Sequence, residues 1–386
     1  MKVALIGWGT VARALYQLIQ NRKELEVRWI LIRSHHPCSM REMTWDYGKI
    51  LDDREVEVVV EMIPSAESAY DYCRKAIEKG KSVVTSNKAM MAAYFNELNA
   101  LAMKHHVHLH YDASVAGGIP WLRNILELKQ SEEITELEGI FNGTTNYILD
   151  KMEQEGITLQ QGISQAQHLG YAEADPSADI DGLDIVRKLM ISGACAMNEM
   201  CRKDQILTEG IRQITKQDIA AFAQRGLHCR LVSSLKRNSD GLQAMIEPVL
   251  LKEDHPLSRI HDNLNACILH TASLGSLTLS GQGAGGAPTA HAVLTDILQC
   301  QKKDCPLIQA EEAVMSLKDP IVSYYIGTDE KTSVLFRKIQ KQQKHSRERI
   351  MIWTKPTALS TVRELIARGR ESDPGLFAAR LKEEER

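Results

Sequence analysis

No run of apolar residues in the 386-residue chain approaches the ~18 that a membrane-spanning helix needs. Nor does one sign of charge dominate. The formal net charge is −3, which argues against nucleic acid or an anionic membrane as the main partner. The eight cysteines, at 38, 73, 195, 201, 229, 267, 300 and 305, include no CxxC pair. In a chain of this length that scatter predicts reduced, mostly buried thiols and no structural zinc. The apolar segment Met1–Ile6 is too short for a leader peptide and runs straight into a glycine turn, so a cytoplasmic protein is expected. What remains is a globular composition, 44% hydrophobic, long enough for two or three domains.

The N-terminal half alternates strand and helix. Lys2–Ile6 reads as an apolar strand, followed at once by Gly7-Trp8-Gly9-Thr10-Val11-Ala12 and by helical spacing of apolar residues from Val11 to Ile19. Strand, G-x-G-x-x-A and helix in that order are what a dinucleotide-binding turn requires. Gly7 permits the tight turn, and Gly9 lets the backbone approach a pyrophosphate. Ala12 is small enough for close helix–strand packing, and the first N–H groups of the helix, from Thr10 and Val11 onward, face the phosphates. Further strands are predicted at Val27–Ile32, Val56–Met62, Ser82–Thr85 and Val107–Tyr111. Helices are predicted at Ala66–Lys79, capped by Gly80, and at Phe95–Lys104. The second strand ends in Arg33-Ser34-His35-His36, with Arg33 where an acidic residue would bind a ribose 2′-hydroxyl. This favours NADP(H) over NAD(H). Strand alternation places His106, His108 and His110 on one face, a spacing that matches no zinc pattern and is read as packing or solvent exposure.

Polar and glycine-rich segments interrupt this rhythm at Thr85–Lys88, Tyr111–Pro120 and Asn142–Tyr147. The densest group of titratable residues is Gly170–Lys188, GYAEADPSADIDGLDIVRK. Pro176 and the acidic residues suit a loop leading into a helix that starts near Asp181, with Leu183, Val186 and Met190 as its buried stripe. Asp184 and Lys188, four apart, share a helix face. Taken alone they are an exposed ion pair, worth ~0.3–0.5 kcal/mol. Beside an acidic loop able to bind a cationic amino group, the lysine becomes a donor to a developing alkoxide. Those are the parts a protein must add to a nicotinamide cofactor to reduce an aldehyde.

These same segments carry a family resemblance. SNK at 86–88, ASVAGGIP at 113–120, NGTTNYIL at 142–149, the 170–188 segment, HPL at 255–257, NA at 265–266 and GQGAGGAPTA at 281–290 resemble homoserine dehydrogenase over roughly residues 1–300. The resemblance implies an α/β fold: an N-terminal Rossmann-type parallel sheet, an α+β substrate-binding and dimerisation domain, and a small C-terminal extension. The expected boundaries are 1–130, 131–300, a return to the nucleotide domain over 301–322, and the extension 323–386. The implied reaction is reversible reduction of aspartate 4-semialdehyde to homoserine, on the route to threonine and methionine, by a homodimer.

By the same resemblance Lys188 matches the proton donor to the substrate oxygen, and Lys88 a second lysine beside substrate and nicotinamide. Glu173, Asp179 and Asp184 match carboxylates that hold the substrate. Ser86, Lys88, Gly170 and Gly285 join Gly7, Gly9, Thr10, Val11, Ala12 and Arg33 as cofactor contacts. A sodium ion is implied on backbone carbonyls at Asp112, Val115, Gly117 and Ile119. The chain departs from the family pattern at Asp112, where glutamate is usual, at Pro64-Ser65, where two glycines are common, and at Ala12 in place of a third glycine. Two alternatives stay open: a dehydrogenase acting on another amino-acid semialdehyde, and a catalytically silent dinucleotide-binding paralogue.

A helix is predicted at Thr289–Gln299. Past Ser323, Tyr324-Tyr325-Ile326, Val334–Ile339 and Ile350–Thr354 faintly resemble an ACT-type regulatory module, without the glycine that usually opens its first helix. The other reading is a charged helical extension, with Arg337–Arg349 as a solvated helix face.

Overall fold

The computed structural model describes residues 1–33, 37–302, 306–346 and 349–382; Ser34, His35, His36 and Cys305, named above, lie outside them. The chain divides into two compact units, each built from separate stretches. The first comprises Met1–Ile134, Arg187–Arg202 and Thr271–Ala313; the second comprises Thr135–Val186, Lys203–His270 and the residues from Val314 onward. The sequence reading used contiguous segments, whereas these units are interleaved along the chain.

In the first unit six parallel strands form one sheet in the order Met43–Thr44, Glu26–Leu31, Lys2–Ile6, Val56–Glu61, Ser82–Thr85, Leu109–His110. Strand order reverses between Lys2–Ile6 and Val56–Glu61, and in such sheets the crevice outside the carboxyl ends at that point receives the ligand. Both central strands are nearly all apolar because helices cover both faces. Helix Thr10–Gln20 buries Ala12, Leu15 and Ile19, and helix Gly286–Gln299 buries Ala290, Val293 and Ile297. Leu15, Ile19, Val293 and Ile297 share a core with Leu5 and Ile30. Each buried Leu, Ile or Val contributes about 1.5–3 kcal/mol of transfer free energy.

Helix Lys88–His105 begins seven residues earlier than predicted, because Asn87 caps it by accepting the Met90 N–H at 2.9 Å. It closes on His106 in the left-handed region (φ 54°), so the strand that follows shrinks to Leu109–His110. His106 therefore does not share a strand face with His108 and His110, whose rings stack 5.6 Å apart.

In the second unit the sheet runs Leu264–Thr271, Ile134–Ile140, Leu227–Asn238, Gly241–Lys252, Phe377–Leu381, Ile321–Thr328, Ile350–Thr354, Gln340–His345. Its centre is a hairpin, Leu227–Asn238 against Gly241–Lys252, closed by a two-residue turn with Gly241 at φ +144°. Residues 321–381 form a β-α-β-β-α-β module whose antiparallel strands, counted along the chain, lie in the order 4-1-3-2. This is the ferredoxin-like arrangement. Its helices are the short turn Glu330–Ser333, continued by Val334–Phe336, and Leu359–Ser372. Tyr324, Ile326, Phe336, Ile352, Val362, Ile366 and Leu376 fill its core. A charged helical extension is thus excluded: Gln340–His345, within the basic run 337–349, is an edge strand. The module's fourth strand pairs in parallel with the hairpin, Val249 opposite Arg380 and Leu250 opposite Leu381, which makes one continuous sheet.

Candidate active site

The glycine turn of the first unit borders a cleft of about 580 Å³, within the range of small-molecule sites. Gly7 sits at φ +102° and donates its N–H to Leu31 O at 3.0 Å; a Cβ there would lie 2.9 Å from Ile63 Cγ2. A Cβ on Gly9 would meet nothing within 4 Å, although Gly9 lines the cleft. That open approach is what a pyrophosphate needs. Helix Thr10–Gln20 has no side-chain cap, so its first N–H groups are available to an anion. Ala12 packs inward at 1% exposure, and Thr10 lies against Gly286. Arg33 lines the cleft as expected, and so does Arg13, which the sequence reading missed. Ser86, Lys88 and Gly285 belong to this unit and Gly170 to the other; none of the four is in the wall of this cleft.

At the end of strand Val56–Glu61 a buried network organises the next two loops. Glu61, fully buried, accepts the Thr85 hydroxyl at 2.5 Å and the Ile63 N–H at 2.6 Å. Thr85 Oγ1 accepts the Asn87 N–H at 3.0 Å, and Asn87 Nδ2 donates to Ile63 O at 3.0 Å. Loop Met62–Ser65 is thereby tied to the start of the helix whose first residue is Lys88. Burial pushes the Glu61 carboxyl up to about 7, against the pull of its three hydrogen-bond donors. At the positions where the resemblance implies two glycines, Pro64 lines the cleft and Ser65 caps helix Ala66–Glu78 by accepting the Ser68 N–H at 3.2 Å. Glu61 and Asn87 had no role in the sequence reading; a single acid closing an apolar strand was the available signal.

The segment 112–119 is a one-turn helix followed by Ala116 and Gly117 at φ +60° and +54°. Only glycine fits at 117, because a Cβ would lie 2.5 Å from Gly283 O. Asp112 is buried; its Oδ1 accepts the Arg123 N–H at 3.1 Å, while Oδ2 has no hydrogen-bond partner among the described residues. Asp112 O and Ile119 O each accept one backbone N–H, from Val115 at 3.2 Å and Trp121 at 2.7 Å, and each keeps a second lone pair. An orphaned buried carboxylate oxygen above a carbonyl-rich turn is a donor set that suits a hard cation. Burial pushes Asp112 up to about 6, and the fully buried Asp296, with Asp112 nearby, well above the carboxylate range.

In the second unit Asn142 caps helix Gly143–Glu155 by accepting the Thr145 N–H at 2.9 Å. Its Nδ2 then donates to Asp179 Oδ1 at 2.7 Å and Asp184 Oδ2 at 3.3 Å. One amide therefore draws together two of the predicted substrate carboxylates, a role for Asn142 that the sequence reading did not assign. Glu173 stays exposed on the preceding loop, where its carbonyl accepts the Gln167 side chain at 3.1 Å. The helix predicted from near Asp181 spans Leu183–Met197, and a short helical turn not predicted, Ser177–Ile180, precedes it across Gly182 at φ +78°. The break shifts the helix phase: Ile185, Val186 and Leu189 are buried, Leu183 is exposed and Met190 only half-buried. Asp184 and Lys188 remain one turn apart, with Lys188 8% exposed and therefore shielded from bulk water.

A glycine turn at a parallel-sheet switch point, with carboxylates leading into a lysine-bearing helix, defines a dinucleotide-dependent oxidoreductase. The family model for the homoserine dehydrogenase NAD-binding domain matches residues 7–112, and that for homoserine dehydrogenase matches residues 120–298. The chain is 37% identical to homoserine dehydrogenase of Lactococcus lactis subsp. lactis over 79% of its own length and 75% of the relative's. It is also similar to the solved homoserine dehydrogenase of Thiobacillus denitrificans, at 27% identity, with a TM-score of 0.88 and 99% and 98% of the two chains covered. A hyperthermophilic archaeal homoserine dehydrogenase, solved in complex with NADPH, is 28% identical, with a TM-score of 0.69, 79% of this chain and 99% of that one covered. The chain belongs to the homoserine dehydrogenase family, and its reaction is the NAD(P)-linked interconversion of aspartate 4-semialdehyde and homoserine.

Proposed function

We propose that this chain works with NADP(H) and that Lys188 gives the proton to the substrate oxygen, on a substrate held through its amino group by Glu173, Asp179 and Asp184. The observation that carries the reading is the Asn142 amide joining Asp179 to Asp184, one helical turn from a buried Lys188. The dinucleotide, when bound, supplies or accepts the hydride. Lys188 donates a proton to the aldehyde oxygen as the hydride arrives at carbon and regains one from solvent; in the reverse direction it takes the hydroxyl proton. Lys88 at its helix start serves as a second cation beside substrate and nicotinamide.

Preference for NADP(H) is supported by Arg33 and Arg13, two guanidiniums in the wall of one cleft with no acidic residue among the cleft-lining residues. Gly7, Gly9 and the helix start at Thr10, Val11 and Ala12 take the pyrophosphate; Ser86, Gly170 and Gly285 are assigned as further cofactor contacts. A sodium ion at Asp112, Val115, Gly117 and Ile119 would brace the 112–119 turn without taking part in proton transfer. We assign residues 1–130 to the cofactor, 131–300 to substrate and dimerisation, 301–322 to the return segment and 323–386 to an ACT-like module, in a cytoplasmic homodimer. No helix among the described residues is long and apolar enough to cross a membrane. The deciding experiment is homoserine oxidation with NAD+ and NADP+ side by side, with and without threonine; equal or better turnover with NAD+ overturns the cofactor assignment.

A further inference from the structure

The segment Leu207–Arg212 lies against the bend that carries the substrate carboxylates. Leu207–Thr208 pairs in parallel with Met245–Ile246, and the Glu209 N–H donates to Ile246 O at 2.7 Å. Three residues then fit the Ile180–Gly182 bend. The Ile211 N–H donates to Ile180 O at 2.8 Å, and Arg212 grips both oxygens of Asp181 at 2.8 and 2.7 Å. Gly210 passes so close that a Cβ would stand 2.2 Å from Ile180 O and 2.6 Å from Asp181 Cα. From the other side, a Cβ on Gly182 would meet Thr208 Cγ2 at 3.3 Å. The bend held in this way lies between Asp179 and Asp184.

The same segment is gripped by the C-terminal module. The Glu209 carboxylate accepts from Arg363 Nη1 at 2.9 Å and from Arg370 Nη1 and Nη2 at 3.0 and 2.6 Å. Both arginines stand on helix Leu359–Ser372, and Arg363 is itself anchored on Glu247 at 3.1 Å. Glu209 and Arg363 are about four-fifths buried, so their charge-assisted bonds are little screened. This clamp is not what docks the module. The parallel pairing at Val249 and Leu250, the Arg380–Glu247 pair at 2.8 Å, the Arg349–Asp218 pair at 2.7 Å and the Tyr324–Glu247 hydrogen bond do that without Glu209.

We propose that Glu209 is a positioning residue for substrate binding, through which helix Leu359–Ser372 of the C-terminal module fixes the bend between Asp179 and Asp184. The proposal rests on the reading that those carboxylates hold the substrate. Glu209 touches no substrate; it acts by holding the 207–212 segment in register.

The test compares four variants of the full-length protein by steady-state kinetics and thermal melting. Glu209→Gln is expected to raise the KM for homoserine about tenfold while KM for NADP+ and kcat stay within about twofold, the scale of one misplaced polar contact. Arg370→Lys keeps a charge partner without the two-pronged geometry and is expected to fall between Glu209→Gln and the parent. Tyr325→Phe removes a module-docking hydrogen bond to Asp218, apart from Glu247 and the clamp, and is expected to lower Tm with no change in homoserine KM. An unchanged homoserine KM in Glu209→Gln, or an equal rise for homoserine and NADP+, overturns the proposal. Asp184→Asn separates it from the reading beneath: a raised KM there with none in Glu209→Gln overturns the proposal alone, and no change in either overturns both.

Discussion

Lys188 and Glu61 are both buried ionisable groups, yet they fill different offices. Lys188 stands one turn beyond Asp184 on a single helix and is the proton donor we propose. Lys188→Ala removes that proposed donor and leaves the glycine turn untouched. It is expected to lower turnover by at least the ~10²–10⁴-fold attributed to a positioned acid, with NADPH affinity within about twofold by fluorescence titration. Turnover near the parent's sinks the role. Glu61 instead braces two loops and stays protonated more readily in the folded chain than in the unfolded one, with its pKa raised from 4.5 to about 7. A carboxyl that binds its proton more tightly when folded costs stability as pH rises between those two values, and no further above them. Glu61→Gln should therefore gain on the parent in urea midpoint between pH 5 and pH 8; parallel pH profiles would show that Glu61 binds its proton equally well in the folded and unfolded chain.

Helices and strands differ in how openly the sequence declared them. Lys2–Ile6, Val56–Glu61 and helix Thr10–Gln20 were plain because burial on both faces, or along one stripe, leaves unbroken apolar periodicity. Gln340–His345 hid because an edge strand wet on both faces keeps the lysines that protect it from pairing, and KQQKH then reads like a polar helix. The Glu61–Thr85–Asn87 constellation was illegible for another reason: its members lie 24 residues apart and meet only because neighbouring parallel strands end at the same level. The Gly182 break was masked by acidic residues that suit a helix start equally well. Helix Gly286–Gln299 was readable in outline, the resemblance implied that it returns the chain to the nucleotide-binding domain, and its apolar face does join the core of the N-terminal sheet. Ile297→Ala, in that face, should cost ~2–5 kcal/mol by chemical denaturation. A loss below ~1 kcal/mol would mean that the helix is not docked there.

At the scale of the whole chain the C-terminal module is part of the second unit's sheet rather than an appendage. Gly327 marks the junction: a Cβ there would stand 2.4 Å from Asp218 Oδ1 and 2.6 Å from Arg349 Nε, inside a pair that also receives the Tyr325 hydroxyl at 2.5 Å. Gly327→Ala is expected to force that buried pair apart and cost ~3–5 kcal/mol, seen as a drop in Tm of the full-length protein; an unchanged melt would show that the junction yields. The parallel seam between the hairpin and Phe377–Leu381 also orders events during synthesis. The strand that fills the middle of this sheet leaves the ribosome after every strand it separates, at about 5–20 residues per second. Until it arrives, the hairpin edge at Val249–Leu250 has bare backbone groups and an uncovered Met245. The growing chain therefore passes through a stretch of seconds in which chaperones, or a second nascent copy, compete for the place that strand Phe377–Leu381 will take.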